Sequence, residues 1–192
     1  IAKKIGNVAY IVQDNVKVNA TGDYYWQYDD NKPKAPTTLT IHEKVLFGDE
    51  WVTITKIDEY AFSNTCDISD DGRTCYEPGN PYNQNFTNVI IPSTINEIGT
   101  YTFGFEIENN IICFAKTPPV LNKATTNNPF VKNTYQNVIL YVPAESIDAY
   151  RNASGWGVPY MGGDEYCFQN IYPITMLTYV GDGDWNNADN WR

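Results

Sequence analysis

The sequence predicts a mainly β domain built from a short stack of repeats, with an N-terminal β-hairpin cap and one C-terminal capping helix. The first observation is an internal repeat: residues 54–62 recur 41 residues later, so that Ile54 matches Ile95 and Phe62 matches Phe103. A unit of this size cannot bury its apolar face alone, and its copies must therefore stack on one another. The other two observations are a hairpin pattern before the repeats and a helical pattern after them.

The composition excludes several classes of partner. A length of 192 residues suits one well-buried domain, and the net charge of −10 with a pI near 4.4 disfavours nucleic acid, because phosphates reward clustered Lys and Arg. The longest apolar runs, residues 8–12 and 111–115, are far shorter than the roughly 20 residues of a membrane helix. We therefore expect no nucleic-acid partner and no membrane insertion of this chain.

Residues 1–38 are predicted to form the N-terminal β cap. Two β-type runs, residues 8–13 and 16–20, are joined through Asp14 and Asn15, a residue pair that suits a hairpin turn. An aromatic cluster and a polar loop punctuated by Pro follow.

The two clearest repeats follow the cap. The first occupies residues 39–62 and is widened by residues 42–52, and the second occupies residues 88–105. The insertion at residues 63–87 is rich in Asn, Asp, Gly and Pro. Such a composition is typical of surface loops.

Residues 144–153 are the one segment with a convincing helical pattern. Pro143 stands at its start, Arg151 lies in its last turn and Gly155 lies just beyond it, as expected for a helix with these boundaries. The predicted apolar face consists of Ala144, Ile147 and Tyr150. A stack of repeats needs a terminal unit that closes its core, and this helix can supply it.

The four cysteines suggest one disulfide. Cys66 and Cys75 flank a polar, Gly-containing segment that could close on itself, and the alternative is two free thiols. Cys113 lies in an apolar run and is predicted to be a small core residue. Cys167 has no obvious partner.

Catalytic chemistry finds little support in the sequence. His42 is the one histidine, so a Ser-His-Asp or Cys-His constellation could be built only around it, and its charged neighbours favour a solvated surface residue. Neighbouring carboxylates are expected in so acidic a chain, and their adjacency does not set the carboxyl separation that glycosidases need. We predict that the protein is not an enzyme, with no catalytic residues and no cofactor.

Two segments partly match a calcium loop. Asp182, Asp184, Asn186 and Asp189 alternate as calcium ligands do, but the chain ends before the twelfth position. Residues 67–72 match in part and reach Pro78 at that position. Because partial matches to this motif are often false positives, no metal site is predicted.

Aromatic residues are the candidate contacts for a ligand. They make up 15% of the chain, and exposed rings can stack on sugars or anchor a protein partner. The candidates are Tyr24, Tyr25, Trp26, Tyr28 and Trp51. Of these, Tyr25, Trp26 and Trp51 are the predicted binding residues. The alternative is that these rings pack the cap against the first repeat.

The segment 88–103, which reads NVIIPSTINEIGTYTF, resembles the repeat of the BspA-type leucine-rich repeat surface proteins of Bacteroidetes. The endings usual in that family resemble residues 115–119 (AKTPP) and 141–156 (YVPAESIDAYRNASGW), with a final segment like 171–174 (IYPI). The resemblance covers most of residues 39–174. It implies a leucine-rich repeat solenoid with a parallel sheet.

The resemblance also implies a domain organisation, a cellular location and a function. Residues 39–176 would be the solenoid with its capping helix, and residues 177–192 a linker or the start of a following module. Such proteins are secreted or lie on the cell surface, many of them lipid-anchored, and serve interaction and adhesion. We therefore expect binding of a protein ligand, or alternatively a glycan-binding accessory module that uses exposed Tyr and Trp residues.

Alternation along the predicted strands separates core positions from outward ones. Aligning the strands on Pro92 and Pro143 places the following residues in the core: Leu39, Ile41, Val89, Ile91, Val138, Leu140 and Val142. Matching Asn88, Asn110 and Asn137 with one another adds Ile111 and Cys113 to this set. The opposite side then carries Thr40, Ile90, Ile112, Phe114, Ile139 and Tyr141, and all but Thr40 are predicted binding residues. Parallel sheets are often covered on both sides, so the alternative is that loop 63–87, loop 120–136 or another module packs over this face.

Overall fold

A computed structural model describes residues 38–59, 61–62, 86–122, 128–160 and 166–175, together with the backbone of five strands at residues 2–5, 8–13, 17–22, 67–68 and 75–76. The strands are β1 (Ala2–Ile5), β2 (Val8–Gln13), β3 (Lys17–Gly22), β4 (Thr38–Thr40), β5 (Lys44–Phe47), β6 (Glu50–Thr53), β7 (Lys56–Ile57), β8 (Asp67–Ile68), β9 (Cys75–Tyr76), β10 (Asn88–Ile91), β11 (Glu97–Ile98), β12 (Asn110–Cys113), β13 (Val120–Leu121), β14 (Ile139–Val142) and β15 (Asn170–Pro173). The helices are α1 (Lys132–Asn137) and α2 (Ile147–Asn152), and a 3-10 turn at Ala144–Ser146 precedes α2.

Two larger sheets organise these strands. One has five parallel strands in the order β15-β14-β12-β10-β4. The other has six strands in the order β1-β2-β3-β7-β11-β13, antiparallel from β1 to β3 and parallel from β3 to β13. From β10 to β14 the chain contributes one strand to each sheet in turn. The predicted mainly β fold with a parallel sheet and few helices is confirmed.

The internal repeat is visible as strand pairing. In the six-stranded sheet, Ile98 lies opposite Ile57, as the repeat predicts. In the five-stranded sheet, Val89 lies opposite Leu39. These two residues are farther apart in the sequence than Ile57 and Ile98 are. The difference arises because the first repeat contains an extra antiparallel hairpin, β5–β6, within the segment predicted to widen it.

The repeats pack so closely that one position requires glycine. A Cβ at Gly99 would lie 2.3 Å from the backbone nitrogen of Glu59 in the preceding repeat. The Gly99 N–H donates to the carbonyl of Ile57 at 2.8 Å, and the Thr102 hydroxyl lies 2.8 Å from the carbonyl of Asp58. These bonds between repeats hold the two copies in register.

The core lies between the two sheets and matches the predicted alternation. All nine residues predicted to point inward are buried, at 2% exposure or less. One alignment was wrong: Asn110 pairs with Ile139 rather than with Asn137. The error of two residues did not change the predicted faces, because side chains alternate with a period of two.

The N-terminal hairpin is present as β2 and β3, which pair antiparallel. The second strand occupies Lys17–Gly22 rather than residues 16–20, and β1 adds a further strand. Parallel pairing of β3 with β7 joins this hairpin to the repeats. Its turn residues, Asp14 and Asn15, lie outside the described part of the chain.

The predicted helix is observed as the 3-10 turn followed by α2, but its apolar face differs. Tyr150 is fully buried and Ile147 partly so, whereas Ala144 is exposed because the 3-10 turn rotates the start of the segment. The short helix α1 was not predicted. It buries Thr134 and Tyr135.

Cys113 and Cys167 are buried thiols. Cys113 is fully buried, which confirms its predicted core position, and Cys167 is 7% exposed. In the hairpin β8–β9, Ile68 lies opposite Cys75. Cys66 lies outside the described residues, so the bridge between Cys66 and Cys75 stays a prediction.

Candidate functional site

The side of the five-stranded sheet that points away from the core brings together the residues predicted to bind a ligand. Its central row consists of side chains in direct register across five strands: Thr40, Ile90, Ile112, Tyr141 and Tyr172. Ile139 lies in the row before it, and Phe114 follows β12 by one residue. We call these seven residues the outer face.

The outer face is accessible to a partner. Phe114 is 42% exposed and Tyr172 is 50% exposed, and Thr40 is also exposed. Ile90, Ile112, Ile139 and Tyr141 are partly exposed, in contrast to the inward residues of the same strands. Apolar and aromatic side chains grouped at a surface in this way mark interaction sites.

Tyr172 is the member of the outer face that the sequence prediction missed. The signal was present: Asn170 and Ile171 repeat the pair Asn88 and Val89 that begins β10. Extending the alternation by one strand would have placed Tyr172 on the outward side.

The strands of this sheet carry no charge. In a chain with 19% charged residues, no residue of β4, β10, β12, β14 or β15 is Asp, Glu, Lys or Arg. Four of the five strands begin with a polar residue, and β14 begins with Ile139. In this first row the Asn110 side-chain amide donates to the Asn88 side chain at 3.3 Å, and the Asn88 amide donates to the Thr87 hydroxyl at 3.0 Å. An uncharged centre beside a polar border is the anatomy of a protein-binding surface.

Among the described strands β15 lies at the edge of its sheet, and the side that pairs with none of them is partly blocked. Ile174 donates its N–H to Val142 at 2.7 Å, and because alternate residues of a parallel strand face the same neighbour, the peptide groups of Ile171 and Pro173 face the open edge. Pro173 has no N–H, and the Ile171 carbonyl accepts a bond from Arg151 Nη2 at 3.4 Å. Both features hinder the addition of another strand.

The edge strand β13 of the six-stranded sheet is protected in a similar way. The hydroxyl of Tyr160 donates to the Leu121 carbonyl at 2.8 Å, and Trp156 Nε1 donates to the Pro119 carbonyl at 2.8 Å. At each of these edges, a partner strand would meet at least one carbonyl that a side chain already bonds. The outer face, by contrast, presents apolar side chains that are accessible.

The predicted aromatic cluster is described only in part. Trp51 is 68% exposed on the hairpin β5–β6, opposite Leu46. Tyr25 and Trp26, with Tyr24 and Tyr28, lie outside the described residues. Trp51 is thus a separate exposed ring on an inserted hairpin.

Two titratable groups of the core, Cys113 and Tyr150, are poorly suited to nucleophilic or acid-base catalysis. Burial raises the pKa of the Cys113 thiol to about 11, so that it is protonated and weakly nucleophilic at neutral pH. Burial also raises the pKa of Tyr150 well above its ordinary value. His42 is exposed at the end of β4.

The described part of the chain contains neither a group of metal ligands nor a helix that could span a membrane. Within residues 38–59, 61–62, 86–122, 128–160 and 166–175, no three His, Cys, Asp or Glu side chains group as metal ligands would. The partial calcium motifs at residues 182–189 and 67–72 fall outside these ranges. Neither described helix is long or apolar enough to cross a membrane.

Comparison with known proteins gives matches among solved structures. No protein-family model and no curated protein matches the chain. It is similar to a leucine-rich repeat protein from Bacteroides capillosus at 14% identity and a TM-score of 0.41, over 91% of this chain and 99% of that one. It is also similar to a leucine-rich cell surface protein from Faecalibacterium prausnitzii at 17% identity and a TM-score of 0.42, over 91% of this chain and 43% of that one.

A third similarity is to the pneumococcal vaccine antigen PcpA, at 15% identity and a TM-score of 0.31, over 77% of this chain and 39% of that chain. This chain therefore spans less than half of the second and third proteins. None of these similarities assigns a ligand or an activity to it.

Proposed function

We propose that this chain is a non-enzymatic interaction and adhesion module of a secreted or cell-surface protein, and that it binds a protein ligand through the outer face. The observation that carries the proposal is the row Ile90, Ile112, Tyr141 and Tyr172, which runs across an uncharged sheet and stays accessible. Burial of such a row on binding would remove apolar surface from water without desolvating a charge.

The architecture inferred for this module is a short leucine-rich repeat solenoid over residues 39–176. Residues 1–38 would form its N-terminal cap, and residues 177–192 would lead to a further module of the same polypeptide. The alternation of strands between the two sheets from β10 to β14 supports a coil of stacked repeats. The resemblance to the BspA-type proteins supports an extracellular or outer-membrane location with lipid anchorage.

The test uses a double substitution on the outer face, Phe114→Ser with Tyr141→Ser. Immobilised extracellular-matrix proteins would be screened for binding of the full chain by surface plasmon resonance. For a ligand that binds, we expect the double variant to lose at least about 30-fold in affinity, as for central aromatic contacts of an interface.

The matched control is Trp51→Ser, which removes a more exposed aromatic ring at another place. It should leave binding to the protein ligand unchanged. Loss of binding in the control together with full binding by the double variant would refute the assignment to the outer face.

A second candidate function is a glycan-binding accessory module. The 68% exposure of Trp51 favours it, because an exposed indole can stack on a sugar. Binding of the chain to a glycan array would favour this function over the first if Trp51→Ser abolishes that binding and the chain binds no matrix protein.

A further inference from the structure

A polar groove of about 350 Å³ lies along the free edge of β15, and of the outer-face residues it is lined only by Tyr172. Its lining includes Arg151 at the end of α2, Gln169 and Asn170 at the start of β15, and Ile171 and Tyr172 within that strand. The volume is at the small end of the range for sites that hold small molecules.

The groove offers one cation and several neutral hydrogen-bonding groups. Arg151 is exposed, and the one hydrogen bond of its guanidinium with a described residue is that to the Ile171 carbonyl, whereas a guanidinium has five N–H donors. The Gln169 amide nitrogen donates to the Cys167 carbonyl at 3.2 Å, which leaves its oxygen directed to no described donor. The side-chain amide of Asn170 makes no hydrogen bond with the described residues.

These groups fit a sugar better than a peptide strand. A peptide that extends the sheet would need free backbone donors and acceptors along β15, but Pro173 lacks an N–H and Arg151 bonds to the Ile171 carbonyl. Sugar hydroxyls are both donors and acceptors, as amide side chains are. The ring of Tyr172, at 50% exposure, supplies an aromatic surface at the rim.

We propose that this groove binds a carboxylated sugar, a uronic acid or a sialic acid. The carboxylate pairs with the planar fork of Arg151, the hydroxyls bond to the amides of Gln169 and Asn170, and the sugar ring lies against Tyr172. The net charge of −10 weakens long-range attraction of such a ligand, but charges beyond about 8 Å are largely screened at physiological salt. The site shares only Tyr172 with the outer face, and its polar groups, Arg151, Gln169 and Asn170, take no part in the protein-binding proposal.

The test is a titration of the isotope-labelled full chain followed by two-dimensional NMR of the backbone amides. The probes are sodium glucuronate, sodium N-acetylneuraminate, methyl glucoside and sodium acetate, each at the same ionic strength. We expect one or both acidic sugars to shift the amides of Gly157 and residues 169–172, and the neutral sugar and acetate to do so at least about 10-fold more weakly. The more strongly bound of the two acidic sugars identifies the source of the carboxylate.

Three variants examine the role of the guanidinium. Arg151→Gln should weaken binding of the acidic sugar by about 10- to 100-fold, the range for a charge-assisted pair, and Arg151→Lys should fall between it and the wild type because lysine lacks the fork. Lys116→Gln removes a cation that is 77% exposed and outside the groove, and should have no effect. Gln169→Ala should weaken the binding of both acidic sugars. The NMR signals of backbone amides away from the substitution should stay at their wild-type positions, which would show that the fold is intact.

Several results would overturn the proposal. Shifts equally strong with acetate would mean a simple anion site, and shifts equally strong with methyl glucoside would exclude a role for the carboxylate. Absence of shifts at residues 169–172 with both acidic sugars would exclude the site. The double variant Phe114→Ser and Tyr141→Ser should bind the acidic sugar normally, so failure of this site and failure of the outer-face proposal are separable.

Discussion

The ring of Phe62 stacks on the ring of Phe103, with centroids 5.6 Å apart and planes inclined by 14°. Phe103 in turn stacks on Phe130, at 5.0 Å and 7°. Phe62 and Phe103 occupy equivalent positions of the two repeats, so the stack continues from one repeat to the next. A ring from each successive unit fills the same place in the core, and this gives the stacked repeats a common interior.

Replacing the central ring of this stack should be severely destabilising. Phe103→Ala is expected to lower the free energy of unfolding by about 3–5 kcal/mol, because the buried side chain loses its contacts and leaves a cavity. Urea denaturation measures the change. Trp51→Ala, at a ring that is 68% exposed, should cost less than about 0.5 kcal/mol, and a similar loss in both variants would contradict the role of the stack.

The stack shows what the sequence could and could not predict about the fold. Phe62 and Phe103 were matched because the spacing of Ile, Tyr and Phe is the same in the two repeats. Phe130 follows Asn128 and Pro129 and has no such neighbours, so nothing local marks it as the next ring. It is placed by the bridge between Phe103 and Phe130, a tertiary contact that a local pattern does not encode.

The candidate sites likewise include one that the sequence predicts and one that it does not. The outer face was predictable because a period of two fixes which side chains share a face, even where the register was wrong by two residues. The groove beside Arg151 was not predictable, since it depends on how α2 lies against β15. The sequence identifies Arg151 only as a basic residue in the last turn of a helix, and it is the folded chain that brings this residue to Ile171.

Alkaline pH should destabilise the protein through its buried thiol. Burial raises the pKa of Cys113 from 9.0 to about 11, so the unfolded chain loses this proton at a lower pH than the folded protein. The stability that Cys113 contributes is complete below pH 9.0 and is lost between pH 9.0 and about 11, at up to about 1.4 kcal/mol per pH unit. Urea denaturation at a series of pH values measures this decline.

The control for this pH dependence is a pair of variants. Cys113→Ala should show a shallower decline over the same pH range. Val142→Ala, a core truncation without a titratable group, should lower the stability at every pH and keep the wild-type slope. Identical slopes for Cys113→Ala and the wild type would exclude the thiol as the cause.

Removing one buried hydroxyl should test how the C-terminal segment is attached to the repeats. The Tyr150 hydroxyl donates to the Ala115 carbonyl at 2.8 Å and lies 3.1 Å from Cys113 Sγ. Tyr150→Phe keeps the ring and leaves this carbonyl without its donor, which should cost about 1–3 kcal/mol. Thermal denaturation would show it, and an unchanged melting temperature would mean that water replaces the hydroxyl.

Cys66 and Cys75 are predicted to be joined in the oxidised protein. A loop of this length would be stabilised by about 2.7 kcal/mol in the chain-entropy model. Alkylation of the denatured protein without reductant, followed by intact-mass measurement, should label two thiols, those of Cys113 and Cys167. Labelling of all four would exclude the bridge.

The stability of outer-face variants separates a binding surface from a covered core. Phe114 is 42% exposed and Tyr141 partly exposed, so their replacement by Ser should leave the melting temperature nearly unchanged. Leu140→Ala, on the inward side of the same strand at 0% exposure, should cost about 2–5 kcal/mol. If the Phe114→Ser and Tyr141→Ser double variant loses as much as Leu140→Ala, another part of the polypeptide packs over the outer face, and the protein ligand must bind elsewhere.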